Sequence, residues 1–97
     1  MKYVMAHVKM KEPALSRYTF LIFPDQLVHS IMAEHFCQAL AQQTAGTFRI
    51  VSAGFITDDR MCYGKSESLG LKAHRDDTNI IRTFPYQHGL NFPEREK

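Results

Sequence analysis

The five histidines are the side chains of this chain most suited to holding a metal ion. His29 and His35 share a stretch with helical periodicity but lie six residues apart, which separates them by roughly 240° around a helix of 3.6 residues per turn. Such a pair cannot chelate one ion as residues i and i+4 would. The remaining histidines, His7, His74 and His88, fall on a predicted strand, a loop and the tail. We therefore expect no metal site and no cofactor.

The candidate nucleophiles are two cysteines and two serines. Cys37 is predicted inside a helix and Cys62 on a strand, and neither stands at a helix N-terminus, where the pKa of a thiol falls. Ser66 and Ser68 lack the glycines of a nucleophile elbow. We therefore expect no catalytic residues and a protein that is not an enzyme. Both cysteines are expected to be buried, reduced thiols, with a single disulfide as the alternative.

The tripeptide Gly64-Lys65-Ser66 matches the end of a phosphate-binding P-loop. The full motif needs a glycine five positions before Gly64, and that position is Asp59. A carboxylate there repels phosphate, and Gly70 interrupts the long helix that should begin at the serine. Nucleotide hydrolysis is therefore not expected.

Polar side chains crowd the segment between Gly54 and the last predicted helix. Loops held on a rigid sheet commonly carry recognition. We therefore expect a protein partner to be bound there, and the alternative is that these side chains satisfy the backbone of their own loop. The expected binding residues are Arg60, Tyr63, Lys65, Ser66, Glu67 and Arg75.

Basic and aromatic residues also alternate on the predicted strands, which suggests nucleic acid as the alternative partner. A sheet face of this kind can stack bases and neutralise phosphates. The aromatic ribonucleoprotein signature is missing, and strand aromatics more often belong to a core. The residues of this alternative site are Arg17, Tyr18, Arg49, Phe55 and Lys65.

The composition indicates one folded domain without a strong overall electrostatic field. The 97 residues are 44% apolar and 23% charged, with a net charge of +2, so neither disorder nor a general attraction to anionic membranes or nucleic acid is expected. The N-terminus lacks the apolar core of a signal peptide, and no apolar run could cross a bilayer. We expect a cytoplasmic domain over residues 1–85 and a flexible tail over 86–97. No membrane partner is expected, and a homodimer remains an alternative to a monomer.

Two strands and a long helix are predicted in the first half. Residues 2–9 alternate in period two and predict a strand with one face on a core. Residues 17–23 predict an inner strand antiparallel to it. Asp25 is a suitable N-cap for a helix over 26–43. The apolar stripe of that helix comprises Leu27, Val28, Ile31, Met32, Phe36, Ala39 and Leu40.

The second half predicts two more strands and a short helix. Residues 47–56 predict a strand in which Gly54 marks a bulge or a close backbone approach, and 61–65 a short returning strand. An ordered loop anchored by Leu69 and Leu71 precedes a short helix that is capped by Asp76 or Asp77 and continues to about Thr83. The predicted fold is α+β: a two-layer sandwich with a four-stranded, mainly antiparallel sheet in β-β-α-β-β-α order and the long amphipathic helix on one face.

The segment Ala53–Ile81 carries a resemblance in three pieces, SAGF, CYGKSESLGL and DDTNII. It resembles a group of short uncharacterised proteins of bacterial prophages and plasmids. The likeness covers under a third of the chain and implies a mobile-element, cytoplasmic context without a catalytic residue or a substrate. Taken with the tests above, it leads us to expect a small non-enzymatic binding or regulatory module that acts through protein–protein contacts.

Overall fold

A computed structural model describes residues 1–83 of the chain. A 3-10 turn, Pro13–Leu15, joins the first two strands. The elements that follow one another along the chain are β1 (Lys2–Lys9), β2 (Arg17–Phe23), α1 (His29–Gln43), β3 (Thr47–Ile56), β4 (Cys62–Tyr63), β5 (Lys65–Ser66), β6 (Leu71–Lys72) and α2 (Asp77–Thr83). The α+β class is thereby confirmed. The predicted tail, 86–97, lies outside the described residues.

Four strands form one antiparallel sheet in the order β2-β1-β3-β4. His7 of β1 lies between Tyr18 of β2 and Arg49 of β3. The register of β3 shifts between Met5 and Ala6 of β1, because Met5 pairs with Ser52 whereas Ala6 pairs with Ile50. Val51 is therefore an extra residue, a β-bulge, which turns a strand locally. The predicted four-stranded antiparallel sheet is confirmed.

Both faces of β1 are buried, although its alternation predicted only one core face. Val4, Ala6 and Val8 pack into a core that also contains Phe36 and Leu40 of α1. On the opposite face, a second core contains Tyr3, Met5, Phe20, Ile56 and Ile81 of α2. We call them the α1 core and the α2 core. A two-layer arrangement does not describe this part of the sheet, since a helix packs on each side of β1.

Helix α1 begins three residues later than predicted. Its N-cap is Val28, which offers no side-chain hydrogen bond. Asp25 does not cap the helix, and its carboxylate instead lies 3.2 Å from the amino group of Met1. The amide of Leu27 donates to the carbonyl of Pro24 at 3.1 Å, so a turn occupies the positions where a first helical turn was expected.

The buried face of α1 is rotated from the predicted stripe. Phe36 and Leu40 are buried as predicted, and the other buried positions are His29 and Ala33. Their spacing of four, three and four residues is that of one helix face. The predicted stripe members Leu27, Val28 and Ile31 are instead 41%, 44% and 53% exposed.

A hairpin occupies most of the segment predicted as a loop after residue 65. Strands β5 and β6 pair in antiparallel fashion, and the amide of Gly70 donates to the carbonyl of Ser66 at 3.0 Å. Gly70 has a φ of 67°, a conformation that glycine adopts at little cost. Leu69 and Leu71 pack against the α1 core as the predicted anchors of this segment.

Gly54 allows a close approach between β3 and β4. A Cβ atom at this position would lie 2.5 Å from the carbonyl oxygen of Tyr63, so the prediction of close backbone approach is confirmed. Within residues 1–83, no helix is long and apolar enough to cross a membrane.

Candidate functional site

The β5–β6 hairpin and β3 enclose an open cleft of about 620 Å³. Its lining combines the apolar side chains of Val51, Leu71 and Ala73 with the exposed, charged side chains of Lys65, Glu67 and Lys72. A mainly apolar lining with a few charged groups is the usual composition of a binding site. We call this site the hairpin cleft.

Two lysines face each other across the hairpin. Lys65 of β5 pairs in register with Lys72 of β6, and both side chains are exposed. Like charges directly opposite each other disfavour strand pairing. Glu67 lies 3.8 Å from the Lys65 ammonium, an exposed contact that adds little stability. The lining of the cleft therefore carries more positive than negative charge.

The six side chains predicted to bind a partner occupy different positions around this cleft. Lys65, Ser66 and Glu67 line it, and Tyr63 stands next to it on β4. Arg60 lies in the β3–β4 turn with a φ of 68°, and Arg75 is exposed in the turn before α2. The structure thus brings four of the six together.

Ser66 has a structural role in the hairpin. It is buried, and its hydroxyl accepts the amide of Leu69 at 3.2 Å. This hydrogen bond is the kind of contact that the alternative interpretation expects, in which a polar side chain satisfies the backbone of its own segment.

Exposed apolar side chains surround the start of α1 and extend toward Tyr63. The ring of Tyr63 stacks on Phe55 with centroids 5.7 Å apart, and Phe55 meets the His29 ring edge-on at 5.8 Å. His29 is itself held by its Nε2–H, which donates to the Gly54 carbonyl at 2.8 Å. We call Leu27, Val28, Ile31 and Tyr63 the α1 apolar patch.

A second cleft, of about 610 Å³, lies between the β1–β2 connection and β3. His7, Lys9 and Arg49 supply its polar wall, and Phe48 an apolar one. The His7 ring lies 4.8 Å from the ring of Tyr18, centroid to centroid. We call this site the basic cleft.

The residues predicted to bind nucleic acid are divided between opposite sides of the sheet. Tyr18 and Arg49 lie on one face, since both pair with His7. Arg17 pairs with Val8 and belongs to the α1 side. The other two residues of this predicted site also lie elsewhere: the Phe55 ring packs against His29, and Lys65 lines the hairpin cleft.

Sequence reasoning missed His7 and Lys9 as partners of Arg49. Both lie on the β1 face opposite Val4 and Val8, so the period-two alternation already placed them together. Their closeness to Arg49 follows from the pairing of β1 with β3. The order of strands in the sheet could not be derived from the sequence.

A buried polar contact joins α2 to β1. The Tyr3 hydroxyl donates to the Asp77 carboxylate, which also accepts the amide of His74 at 2.9 Å. Burial, with a further contribution from Asp77, raises the pKa of Tyr3 far above its ordinary value. The phenol therefore stays protonated and acts as a donor.

The two cysteines are free thiols and are partly buried. Burial raises the pKa of Cys37. Burial likewise raises the pKa of Cys62, with an opposing contribution from the Thr78 hydroxyl. A raised pKa leaves less thiolate, which is the nucleophilic form.

In the described part of the chain, no three His, Cys, Asp or Glu side chains lie close enough together to hold a metal ion. Comparison with known proteins gives no further assignment: no family model, no curated protein and no solved structure matches this chain.

Proposed function

We propose that this chain is a small, non-enzymatic binding or regulatory module that contacts a partner protein through the hairpin cleft. The observation that carries the proposal is the Lys65–Lys72 pair in a cleft that apolar side chains also line. Carboxylates of a partner would offset the repulsion between the two ammonium groups, and apolar side chains of the same segment would cover Val51 and Leu71. The expected partner segment is therefore acidic and partly apolar.

The α1 apolar patch supports a protein partner over a small ligand. Large apolar side chains exposed together often mark protein–protein contacts, and tyrosine is enriched in such interfaces. Tyr63 belongs to this patch and directly precedes Gly64 and Lys65 in the chain. One partner could therefore cover both the patch and the near edge of the cleft.

The proposal also includes a bacterial mobile element as the source and the cytoplasm as the location. The resemblance of Ala53–Ile81 to short prophage and plasmid proteins supports the first. Two free thiols, Cys37 and Cys62, support the second, because reducing compartments keep cysteines unpaired.

Charge reversal in the cleft tests the protein-binding proposal. We expect Lys72→Glu to weaken retention of a captured host protein on the order of tenfold, since about 1.4 kcal/mol of lost charge complementarity has that effect. The control is Lys11→Glu, an exposed lysine in the β1–β2 connection. Affinity should be measured with the purified captured protein. Equal loss for both variants, or for neither, would contradict the proposal.

Nucleic acid is the second candidate, and a specific geometry favours it. Tyr18, His7 and Arg49 form a row across three strands, with an aromatic ring available for a base and cations available for phosphates. Lys9 extends the positive charge along the basic cleft. This site is separate from the hairpin cleft, so the two candidates can be tested independently.

The salt dependence of binding distinguishes a phosphate site from other contacts. Binding of a short single-stranded oligonucleotide should weaken as salt rises, with a log–log slope of about −0.7 for each phosphate contact. Arg49→Glu should reduce that slope by about 0.7 or more, whereas Arg82→Glu on α2 should leave it unchanged. Fluorescence anisotropy at several salt concentrations measures both. No binding at low salt would rule out this candidate.

A further inference from the structure

The bulge at Val51 borders a small cavity of about 110 Å³ on the α2 side of the sheet. Its walls come from β2, β3 and the start of α2, through Tyr18, Ser52, Asp76, Asp77 and Ile80. Bulges are frequent beside functional sites, because they change the direction in which a side chain points. We call this cavity the bulge pocket.

Ser52 contributes an unsatisfied hydroxyl to the pocket. The residue is 1% exposed, and its Oγ has no hydrogen-bond partner among residues 1–83. Buried polar atoms are almost always hydrogen-bonded, and an exception calls for an explanation. A hydroxyl on the wall of a cavity can accept from a ligand that donates hydrogen bonds.

Two carboxylates give the pocket its negative character. The Asp77 side chain is buried and is held in place by the Tyr3 hydroxyl and the His74 amide. The Asp76 side chain is 65% exposed and lies at the mouth. The His74 ring lies beside Asp76, with its Nδ1 3.1 Å from the Asp76 amide nitrogen and 3.6 Å from the Asp76 carboxylate.

An aromatic ring completes the wall. Tyr18 is 44% exposed and lines the pocket, and its ring also lies 4.8 Å from the His7 ring, centroid to centroid. Cations bind favourably over aromatic faces, and guanidinium does so with a planar shape, weak hydration and several donors in fixed directions. An ammonium group has fewer donors and is more strongly hydrated. The combination of ring, hydroxyl and carboxylates therefore favours guanidinium.

We propose that the bulge pocket binds a guanidinium group, carried by an arginine side chain of a peptide or by a free small cation. The pocket's 110 Å³ compares with an apolar cavity of about 150 Å³ that holds benzene, a ring of six heavy atoms. The four heavy atoms of guanidinium require less room. The group would donate to Ser52 and the carboxylates while one face lies against Tyr18. The pocket shares Tyr18 with the nucleic-acid row and Val51 with the hairpin cleft, whereas Ser52, Asp76 and Asp77 line neither of the other two clefts.

The test is a titration of the full, nitrogen-15-labelled chain followed by NMR. The probes are the peptide acetyl-Gly-Arg-Gly-amide, the same peptide with neutral citrulline in place of arginine, and methylguanidinium. We expect the arginine peptide to shift the amide signals of Ser52, Asp76 and Asp77 in a saturable manner, and citrulline to shift them far less. If methylguanidinium saturates the pocket and the peptide does not, the guanidinium site is supported and its ligand is a free cation.

A conservative variant separates the pocket from general charge attraction. Ser52→Ala removes the unsatisfied hydroxyl without changing any charge, and we expect it to weaken binding of the arginine probe roughly fivefold. Ser30→Ala on α1 is the matched control and should bind as the wild type does. The proposal is overturned by equal affinities in all three proteins, by equal shifts with citrulline, or by shifts confined to Lys65 and Lys72.

Discussion

The contact between Tyr3 and Asp77 shows how two residues at opposite ends of the described chain can depend on each other. The sequence predicted that Asp76 or Asp77 would cap α2 by virtue of charge at a helix start. In the structure only Asp76 is exposed, while Asp77 is buried against Tyr3. Local sequence does not distinguish these neighbours, because the partner that buries one of them lies on β1.

The raised pKa of Tyr3 makes stability sensitive to alkaline pH. The unfolded chain loses its phenol proton near pH 10, its ordinary value, while the folded chain keeps it. The stabilising contribution is therefore complete below about pH 10 and decreases above it, by about 1.4 kcal/mol per pH unit for one proton. The raised pKa values of Cys37 and Cys62 add a further decrease in folding stability, which begins near the ordinary cysteine pKa of about 8.5.

We expect Tyr3→Phe to reduce the loss of stability between pH 10 and 11 by about 1 kcal/mol. At pH 7 the same variant should be about 1–3 kcal/mol less stable, because the buried Asp77 carboxylate loses a donor. Urea unfolding followed by circular dichroism measures both. Tyr18→Phe, at an exposed tyrosine, is the control. An unchanged alkaline slope in Tyr3→Phe would show that burial does not govern this phenol.

Among the elements, the long strands could be predicted from sequence to the residue. Predicted strands 2–9, 17–23 and 47–56 match β1, β2 and β3. Strands are recognisable here because β-branched and aromatic residues follow one another between clear interruptions such as Pro13 and Pro24. These signals lie within the sequence of each strand, so a strand can be recognised without knowledge of its distant contacts.

The buried face of helix α1 could not be predicted from the sequence in the same way. The prediction assigned the largest apolar side chains to the buried face, yet Ile31 is exposed and the smaller Ala33 is buried. His29 is buried because its imidazole hydrogen-bonds to the backbone of β3. A polar side chain that is buried through a distant hydrogen bond does not contribute to the apolar pattern of the sequence. The buried face of the helix is therefore known only from the folded structure.

In the candidate sites, neighbours in the sequence could likewise be predicted, whereas residues joined by strand pairing could not. Lys65, Ser66 and Glu67 were predicted as neighbours, since they are consecutive in the chain. The pairing of Lys65 with Lys72 required the register of a hairpin that was predicted to be a loop. The row that joins His7 to Arg49 likewise required the order of the strands.

For the molecule as a whole, β1 is the structural element that both cores share. It lies between β2 and β3, and its alternate residues belong to the α1 core on one side and to the α2 core on the other. Neither core can lose its packing without exposing one face of β1. We therefore expect residues 1–83 to unfold in one cooperative transition, as small single domains usually do.

Large-to-small substitutions in the two cores test this coupling. Phe36→Ala in the α1 core and Ile81→Ala in the α2 core, both 0% exposed, should each cost about 2–5 kcal/mol. Each should also shift the whole urea transition, seen identically by circular dichroism and tyrosine fluorescence. Gln38→Ala, on the exposed side of α1, should be nearly neutral. If Ile81→Ala produced a separate early transition while the helical signal stayed intact, α2 would be an independent unit, and the shared-strand account would be wrong.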